Sequence, residues 1–484
     1  MENILEYSLH IYFFFPIAIM LLFGIWGNVL GGMVHVATSL THLFITGLII
    51  FLHKGHALKS VDLTIASFPD LNPGQLVLDG DGPIFIIMIS LILLIVSLPR
   101  WDMDKRGERL FKVLTYFIVW ILCGAVLANN MMGFLMFSEM LILPLAILMV
   151  VFCDKNLRNK ILLYVVFLAI GTLLSVTSIT YLTMVSTGEL GVSSLGPEVL
   201  KNLITSNKVG SYSSAIIFIC LCMSMFIKMT VFPFHFPLLQ LCKRMPTFCN
   251  ILILSSLPLV AVVGMIKLIV PAFTNEMAGA SMSIAIVGVL GCLYCTLCAL
   301  RWNDIKEVVI YFIFGHLSLL MVSIFLYESN TVGGTYIVIF NHLIHVAGML
   351  YVVHVLQDRM KKITFESYGN MKARMPLFNR LFFILIILCL GPPMSSGFIS
   401  RYMVTIDAVR MNLVVGLFVA ACFAICPIYL LRYFQMIMLV KNKITVDDAS
   451  INDVSAREGF ILIMLIILVL TVGIYPNIIA GILG

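Results

Sequence analysis

The chain has 484 residues, of which 61% are hydrophobic and only 11% are charged. Together with a mean hydropathy of +1.08, this composition excludes a water-soluble domain and predicts an all-α polytopic membrane protein. The apolar segments do not alternate with polar residues, which argues against a β-barrel. The net charge of +6 does not indicate nucleic-acid binding, because the basic residues lie in loops beside apolar segments.

A transmembrane helix needs about 20 apolar residues, and the sequence contains about 14 segments of this kind. In chain order, the predicted helices 1 to 14 cover residues 9–31, 33–52, 83–98, 111–128, 131–152, 161–184, 213–241, 247–270, 281–300, 305–326, 332–357, 378–409, 412–438 and 458–482. The larger connectors are 53–82, 185–212, 358–377 and 439–457. None of them has room for a separate soluble domain.

Lysine and arginine residues are concentrated in the connectors that follow predicted helices 3, 5, 7, 9, 11 and 13. By the positive-inside rule these connectors face the cytoplasm, or the matrix or stroma of an organelle. We therefore expect both termini on the opposite, non-cytoplasmic side.

Two predicted helices contain internal breaks: helix 7 contains KMTVFPFHFP and helix 12 contains LGPPMSSGFISR. Proline removes a backbone donor and glycine loosens the turn, so both helices are expected to be discontinuous at membrane depth. Breaks five helices apart are typical of transporters built from repeats, with the site at the breaks. The alternative is that the breaks only bend the helices for packing.

If the breaks mark repeats, helices 4–8 and 9–13 form two five-helix inverted repeats. Glu139 in the first repeat then corresponds roughly to His316 in the second, and Lys228 corresponds roughly to Arg401. The predicted domains are residues 1–110 (helices 1–3), 111–270 (first repeat), 281–438 (second repeat) and 439–484 (helix 14).

Lys228 lies in the apolar string IKMTVFPFHFP, and Glu139 lies in the equally apolar FLMFSEMLILPL. A charge at membrane depth costs several kcal/mol unless it is paired or hydrated. The two residues are therefore predicted to pair and to mark a path for ions or protons. The alternative is a static ion pair that only holds helices together, although buried pairs stabilise proteins poorly.

The spacing of Cys292, Cys295 and Cys298 matches part of an iron–sulfur motif. They lie on one continuous apolar helix without a suitable fourth ligand, so helix packing is the favoured interpretation. We predict no metal site and no cofactor.

Six sequence segments follow one another in the order found in a known protein family: DGDGPIF, ANNMMGFLMFSEMLILPL, KMTVFPFHFPLLQLCKRMPT, RWNDIKEVVIYFIFGHLSLL, FNHLIHVAGMLY and GPPMSSGFISRY. Together they resemble the antiporter-like subunits of the complex I superfamily, from roughly residue 79 to 480. That group includes membrane subunits of complex I, of membrane-bound hydrogenases and of Mrp-type sodium/proton antiporters.

The resemblance implies that Lys228 carries a proton and that Glu139 modulates it. It also implies a proton relay through four histidines, which exchange protons near neutral pH: His235, His316, His342 and His345. His345 would stand in for a family lysine that is replaced by Val346 here. The alternative for each histidine is a packing role, and a metal site formed by them has no further support.

Three cationic residues outside the histidine relay also have expected roles. Lys306, at the start of helix 10, is expected to guide proton uptake or to act as a positive-inside anchor. Arg401 occupies a position where the family usually has lysine or glutamate, and its guanidinium does not release a proton. It is expected to act as a fixed charge, or to extend to the membrane surface or to another subunit. Lys267 is predicted to be an interfacial anchor, and Asp79 and Asp81 to be caps or surface charges.

The expected function is therefore that of a proton-translocating, antiporter-like subunit of a multisubunit redox-driven complex, of the NADH or ferredoxin:quinone oxidoreductase type or the hydrogenase type. The chain has no redox centre of its own, and its partners are other membrane subunits, lipid and protons. The resemblance also implies an energy-coupling membrane, most simply the prokaryotic cell membrane. The alternatives are an Mrp-type subunit that moves Na⁺, a structurally retained subunit with impaired conduction, and coupling to a carbonic-anhydrase-like partner.

Overall fold

The structure is a computed structural model that describes residues 2–27, 29, 31–54, 63–64, 75–99, 104–190, 195–206, 208–326, 332–360, 365, 371–440 and 452–482. Parts of the predicted connectors 53–82, 358–377 and 439–457, including many of their charged residues, lie outside this described portion.

The described residues are almost entirely helical. The α-helices are α1 Glu2–Trp26, α2 Gly32–Lys54, α3 Gly82–Ser97, α4 Lys105–Leu127, α5 Met131–Met140, α6 Ile142–Phe152, α7 Arg158–Leu190, α8 Pro197–Thr205, α9 Ser211–Met229, α10 Phe236–Cys242, α11 Thr247–Gly264, α12 Val270–Ala272, α13 Thr274–Arg301, α14 Ile305–Phe325, α15 Val332–Met360, α16 Met371–Arg374, α17 Pro376–Leu390, α18 Ser396–Met411, α19 Leu413–Met438, α20 Ala456–Ile474 and α21 Asn477–Ala480. A 3₁₀ turn covers Lys155–Leu157, and the antiparallel strands β1 Leu63–Thr64 and β2 Gln75–Leu76 form a small ribbon.

Within the described ranges, 12 helical segments are long and apolar enough to cross a membrane, and α3 and α17 are shorter apolar helices. The prediction of an all-α polytopic membrane protein is confirmed. The count of about 14 membrane helices and the two inverted repeats stay predictions.

The interruptions predicted in helices 7 and 12 are present. The first separates α9 from α10, and Thr230 begins it with a left-handed φ of 54°. The second separates α17 from α18, and Gly391 begins it with a φ of +74°. Glycine adopts this conformation at little cost, which makes it a common helix terminator. Ser395 then caps α18 by accepting a hydrogen bond from Phe398 N at 3.1 Å.

Two further irregularities were not predicted. The segment predicted as one helix over 131–152 is divided at Leu141 into α5 and α6. Pro144 explains the division, because it lacks the N–H that would bond to the carbonyl of Met140. A π-helical turn, Met265–Ile269, follows α11, and Pro271 similarly lacks the N–H that would bond to the carbonyl of Lys267.

The chain divides into two compact units, which we call the first unit (residues 1–230, 252–280 and 482–484) and the second unit (231–251 and 281–481). In the first unit, α4 packs against α1, α3, α5 and α6, and α7 packs against α9. In the second unit, α15 packs against α14, α18 and α20. The membrane-spanning parts of α14 and α15 are buried on all sides, so polar side chains on these two helices lie inside the protein rather than against lipid.

Candidate functional site

The last turns of α5 and α9 bring a carboxylate and an ammonium group together in the first unit. The Nζ atom of Lys228 lies 2.5 Å from Oε1 of Glu139 and donates to the Ser138 hydroxyl at 3.1 Å. The Lys228 side chain is 1% exposed and the Glu139 side chain 17%. The structure therefore joins the two residues that the sequence predicted to pair, at a depth where either charge alone would be costly.

Both residues of this pair lie where a helix ends. Lys228 is in the last turn of α9, where the carbonyl groups of the helix favour a positive charge. Glu139 is in the last turn of α5, directly before the division at Leu141. Helix ends leave backbone groups without partners inside the helix, so a movement of either residue disrupts fewer hydrogen bonds here than it would in a helix centre.

Two hydroxyl groups of α7, which the sequence reasoning missed, complete the surroundings of the carboxylate. Thr172 donates to Oε2 of Glu139, and Ser175 donates to Oε1 at 3.3 Å. Their i, i+3 spacing places both on one face of α7, but this signal does not single them out, because α7 contains six further serine and threonine residues. These hydrogen bonds offset part of the cost of burying the carboxylate.

His316 of α14 and His345 of α15 lie side by side in the second unit. Their ring centroids are 4.6 Å apart, and Phe312 flanks both rings. His342, one turn before His345, is fully buried. Neither ring nitrogen of His345 has a hydrogen-bond partner within the described part of the chain, so both are available to a proton or to a water molecule.

His235 lies in the interruption between α9 and α10 and belongs to the second unit. It is buried, and aromatic rings surround it. Its ring centroid lies 5.7 Å from that of Phe232, 5.5 Å from that of Tyr294 and 5.7 Å from that of Phe314. The structure thus places this predicted relay residue at a helix break, inside an aromatic enclosure.

The start of α14 places Lys306 away from solvent. Asp304 caps the helix by accepting hydrogen bonds from the backbone N–H groups of Lys306 and Glu307, at 2.8 and 3.1 Å. Partial burial raises the pKa of the Asp304 carboxyl, and these two donors oppose the shift. The buried Lys306 ammonium donates to the carbonyl of Met245. Its role in proton uptake stays a prediction.

Arg401 closes the C-terminal end of the broken helix α17. Its two terminal nitrogens donate to the carbonyls of Leu390 and, at 2.6 Å, Cys389. These are among the carbonyls that a helix end leaves without partners, and their partial negative charge favours a cation. Within the described residues, no carboxylate lies within 4.0 Å of the guanidinium. The residue is therefore held inside the second unit by backbone oxygens.

A cavity of about 20 Å³ lies beside Arg401. His316, Thr296 and Tyr429 are among the residues that line it, and a space of this size holds about one water molecule. The structure thus brings Arg401 and His316, the predicted counterparts of Lys228 and Glu139, to the wall of one small cavity.

Asn341, which was not singled out from the sequence, connects α15 to the second interruption. Its amide nitrogen donates to the carbonyl of Ser396 at 2.8 Å and to the hydroxyl of Ser400 at 3.0 Å. The Ser396 hydroxyl donates back to Oδ1 of Asn341 at 2.5 Å. This network fixes the start of α18 to the helix that carries His342 and His345.

Lys267 was predicted to be an interfacial anchor. Its side chain is instead 5% exposed and forms an ion pair, with its Nζ atom 2.9 Å from Oδ2 of Asp79. The same ammonium donates to the carbonyl of Val126. Asp79, expected to be a cap or a surface charge, accepts from the backbone N–H of Gly82 at 3.1 Å and is also the partner of this lysine. The π turn places the lysine inside the first unit.

Cys292, Cys295 and Cys298 lie on α13, as the sequence predicted. Among the described residues, no group of three histidine, cysteine or acidic side chains is arranged to hold a metal ion.

Comparison with known proteins relates the chain to a protein family. A family profile described as "NADH:quinone oxidoreductase/Mrp antiporter, TM" matches residues 128–426. The NADH-quinone oxidoreductase subunit M of Rickettsia prowazekii is 21% identical over 401 residues, which cover 82% of this chain and 79% of that protein. The NADH-ubiquinone oxidoreductase chain 4 of Chondrus crispus is 22% identical over 442 residues, covering 91% and 88%.

Solved structures share the fold at lower identity. A chain of respiratory complex I from Thermus thermophilus superposes with a TM-score of 0.84 at 18% identity, covering 98% of this chain and 97% of that one. A chain of the Mrp complex from Dietzia sp. gives 0.80 at 13% identity, covering 98% and 96%. Because the family profile spans more than half of the sequence, the chain belongs to the NADH:quinone oxidoreductase/Mrp antiporter transmembrane family.

Proposed function

We propose that this chain is a proton-translocating, antiporter-like subunit of a multisubunit membrane complex of the complex I type. The observation that carries the proposal is the Lys228–Glu139 pair, in which a lysine 1% exposed lies 2.5 Å from a carboxylate at two helix ends. Ionisable side chains inside a membrane protein generally mark an ion or proton path. The curated relatives named as complex I subunit M support the same assignment.

The chemistry of the pair follows from its surroundings. Burial disfavours the charged lysine, whereas the neighbouring carboxylate favours it. If Glu139 moves away from Lys228, the ammonium loses its main stabilising partner and its proton is more easily released. Thr172 and Ser175 hold the carboxylate from the α7 side, so a displacement of α7 relative to α9 would change the proton affinity of the pair.

The other titratable residues have proposed roles in the same process. His235, His316, His342 and His345 relay protons, Lys306 assists their uptake, and Arg401 supplies a fixed positive charge beside His316. The helices that carry these residues are proposed to form two inverted five-helix repeats, over residues 111–270 and 281–438.

In this proposal the chain functions as one subunit of a larger membrane complex. Other membrane subunits are its partners, and they carry the electron donor, the acceptor and any redox centre. The multi-pass protein lies in an energy-coupling membrane, proposed to be the prokaryotic cell membrane, with both termini on the non-cytoplasmic side. Protons are its cargo.

The test compares two buried, ion-paired lysines. The complex is isolated by a tag on this chain and reconstituted into lipid vesicles, and proton uptake is followed with a pH-sensitive dye under electron flow. Lys228→Met and Glu139→Gln are expected to lower uptake by at least about ten-fold, because a positioned proton-transfer group typically contributes about 10²–10⁴-fold to a rate. Lys112→Met is the matched control, because Lys112 is 2% exposed and pairs with Glu108 at 2.8 Å.

Lys228→Arg separates transport from packing. Arginine preserves the positive charge and the pairing with Glu139 but does not release a proton. The proposal requires a loss of uptake in this variant with an intact complex. Unimpaired uptake in Lys228→Arg and Lys228→Met would overturn it.

A second function is favoured by the likeness to the Mrp complex of Dietzia sp.. In that case the chain would exchange sodium for protons without electron flow. Uptake of ²²Na⁺ driven by an imposed pH gradient distinguishes the two, since the complex I-type proposal predicts no sodium flux. A structurally retained subunit would support neither flux, and Lys228 variants would then change nothing.

A further inference from the structure

A group of charged residues lies where α13 ends and α14 begins, in the second unit, and most of it has no part in the proposed function. The group comes from the turn after α10, the end of α13, the start of α14, and α19. We call it the basic cluster, because five basic residues meet two acidic ones: Lys243, Arg244, Arg301, Lys306 and Arg432, with Asp304 and Glu307. Its net charge is therefore positive.

Two contacts hold the turn after α10 against the first turn of α14. The Nζ atom of Lys243 lies 3.0 Å from Oε2 of Glu307, and the buried ammonium of Lys306 donates to the carbonyl of Met245. Arg244 lies between Lys243 and Met245 in the sequence, so its backbone is fixed beside the start of α14. Its side chain is exposed.

Two further cations lie next to Arg301, the last residue of α13. The guanidinium of Arg432 donates to the carbonyl of Leu300, the residue before Arg301. The Nζ atom of Lys243 lies 4.2 Å from the ring centroid of Trp302, the residue after it. At this distance a cation and an aromatic face attract each other. Positive charge is thus concentrated around the end of α13.

The chain itself leaves two cations of the basic cluster without a counter-charge. Arg244 and Arg301 are exposed, and no carboxylate in the described part of the chain lies within 4.0 Å of either guanidinium. Glu307 pairs with Lys243, and Asp304 accepts from the backbone of α14. An anionic group of another molecule would complement this surface, and guanidinium groups match phosphate with paired hydrogen bonds.

An apolar face of α13 adjoins these cations. Leu290, Tyr294 and Leu297 are exposed, and their spacing of four, three and four residues up to Arg301 places all of them on one side of the helix. The helix rises about 16 Å from Leu290 to Arg301, which matches half of a hydrocarbon core of about 30 Å. Trp302 follows directly and is 39% exposed, at the level that tryptophan prefers in membranes.

We propose that the basic cluster and this face of α13 form a binding site for one anionic phospholipid. Arg301 binds the phosphate, Arg244 and Arg432 add to the positive potential, and an acyl chain lies along Leu297 and Leu290. The proposed orientation of the chain places the site in the cytoplasmic leaflet. The site goes beyond the proposed function, because lipid binding does not depend on proton movement.

An anionic phospholipid matches this surface better than an acidic segment of another protein does. An acidic segment would complement the cations but would make no use of the apolar face of α13. A phospholipid carries its negative charge at the end of a hydrocarbon chain, which is the order of charged and apolar residues along α13. Basic pockets at the cytoplasmic ends of membrane helices are recurrent binding sites for anionic headgroups.

The test measures phospholipid bound to the intact complex, isolated in detergent by a tag on this chain. Phosphatidylglycerol and phosphatidylcholine with identical acyl chains are titrated separately, and the bound lipid is counted by native mass spectrometry. One phosphatidylglycerol per copy of this chain should bind that phosphatidylcholine does not replace. Arg244→Gln combined with Arg301→Gln should raise the dissociation constant of this lipid by at least about ten-fold, because two cations are lost. Arg301→Lys keeps the charge and should retain binding.

The matched control is Lys155→Gln combined with Arg158→Gln. These residues belong to the connector after predicted helix 5, are exposed, and have no carboxylate within 4.0 Å among the described residues. Loss of one phosphatidylglycerol in the Arg244 and Arg301 double variant alone supports the site. Equal losses in both double variants, or no loss in either, would overturn it. Release of a protein subunit by the first double variant, with lipid binding unchanged, would assign the surface to a protein and also overturn the lipid site. Proton uptake is not measured, so the proposed function is tested separately.

Discussion

The imidazole rings of His316 and His345 lie 4.6 Å apart between the buried membrane segments of α14 and α15. Both nitrogens of His345 lack a hydrogen-bond partner among the residues that the structure describes. Buried polar groups are nearly always satisfied, and an exception calls for a specific explanation. A relay that exchanges its partner during turnover is such an explanation.

The first prediction concerns this pair of rings. His345→Phe keeps the ring volume and removes both nitrogens, so proton uptake by the reconstituted complex should fall by about ten-fold or more. His354→Phe, nearer the end of α15, serves as the control and should retain uptake. A fully active His345→Phe variant would show that the ring only fills space.

The second prediction concerns Arg401 and stability. Arg401→Gln removes the donors to the carbonyls of Cys389 and Leu390, and leaving buried acceptors unsatisfied costs about 1–3 kcal/mol. Thermal unfolding of the purified protein should therefore shift clearly downwards. Arg410→Gln is the control, because the Arg410 side chain is 65% exposed and its pairing with Asp407 is distant at 3.6 Å. Equal shifts in the two variants would contradict the capping role.

A third prediction uses two glycines of α20. A Cβ atom at Gly473 would overlap the backbone of Met394 and Ser395, whereas a Cβ at Gly459 would meet nothing within 4 Å. Gly473→Ala should destabilise the protein by about 1–3 kcal/mol, because backbone atoms cannot move aside easily. Gly459→Ala should be neutral or stabilising by up to about 1 kcal/mol through helix propensity. The thermal unfolding temperatures of both variants test this prediction. An unchanged unfolding temperature for Gly473→Ala would argue against close packing of Gly473 on the backbone of Met394 and Ser395.

The fourth prediction concerns the bidentate pair between Arg359 of α15 and Glu458 of α20. The two guanidinium nitrogens lie 2.7 and 2.6 Å from the two carboxylate oxygens. Both side chains are mostly buried, at 13% and 18% exposure. A double-mutant cycle with Arg359→Met and Glu458→Gln should yield a coupling of about 0.5–3 kcal/mol, the range for residues in one network. Additive effects would show that the two side chains act independently.

Some of this architecture could be read from the sequence because the chemistry allowed few alternatives. Proline and glycine beside Lys228 and Arg401 could not continue a regular helix, and both interruptions are present. A lone lysine and a lone glutamate in apolar segments had few ways to avoid the cost of burial, and Lys228 and Glu139 lie together.

Other contacts depend on packing that sequence patterns do not reveal. Lys267 near a helix end has the pattern of a surface anchor, and only the tertiary placement of Asp79 and of the Val126 carbonyl beside its ammonium makes it a buried partner. Thr172 and Ser175 are ordinary hydroxyl residues until α7 lies beside Glu139. Arg401 finds backbone carbonyls, which carry no sequence signature.

The Asn341 network at the second helix interruption has a consequence for experiments. Its hydrogen bonds tie Ser396 and Ser400 of α18 to α15, so a shift of the start of α18 is expected to be transmitted to α15, which carries His342 and His345. Met394 lies between α17 and α18, directly before this linked region, and is 64% exposed. A spectroscopic label at this position would therefore report, in real time, whether the buried histidine helix moves when the complex turns over.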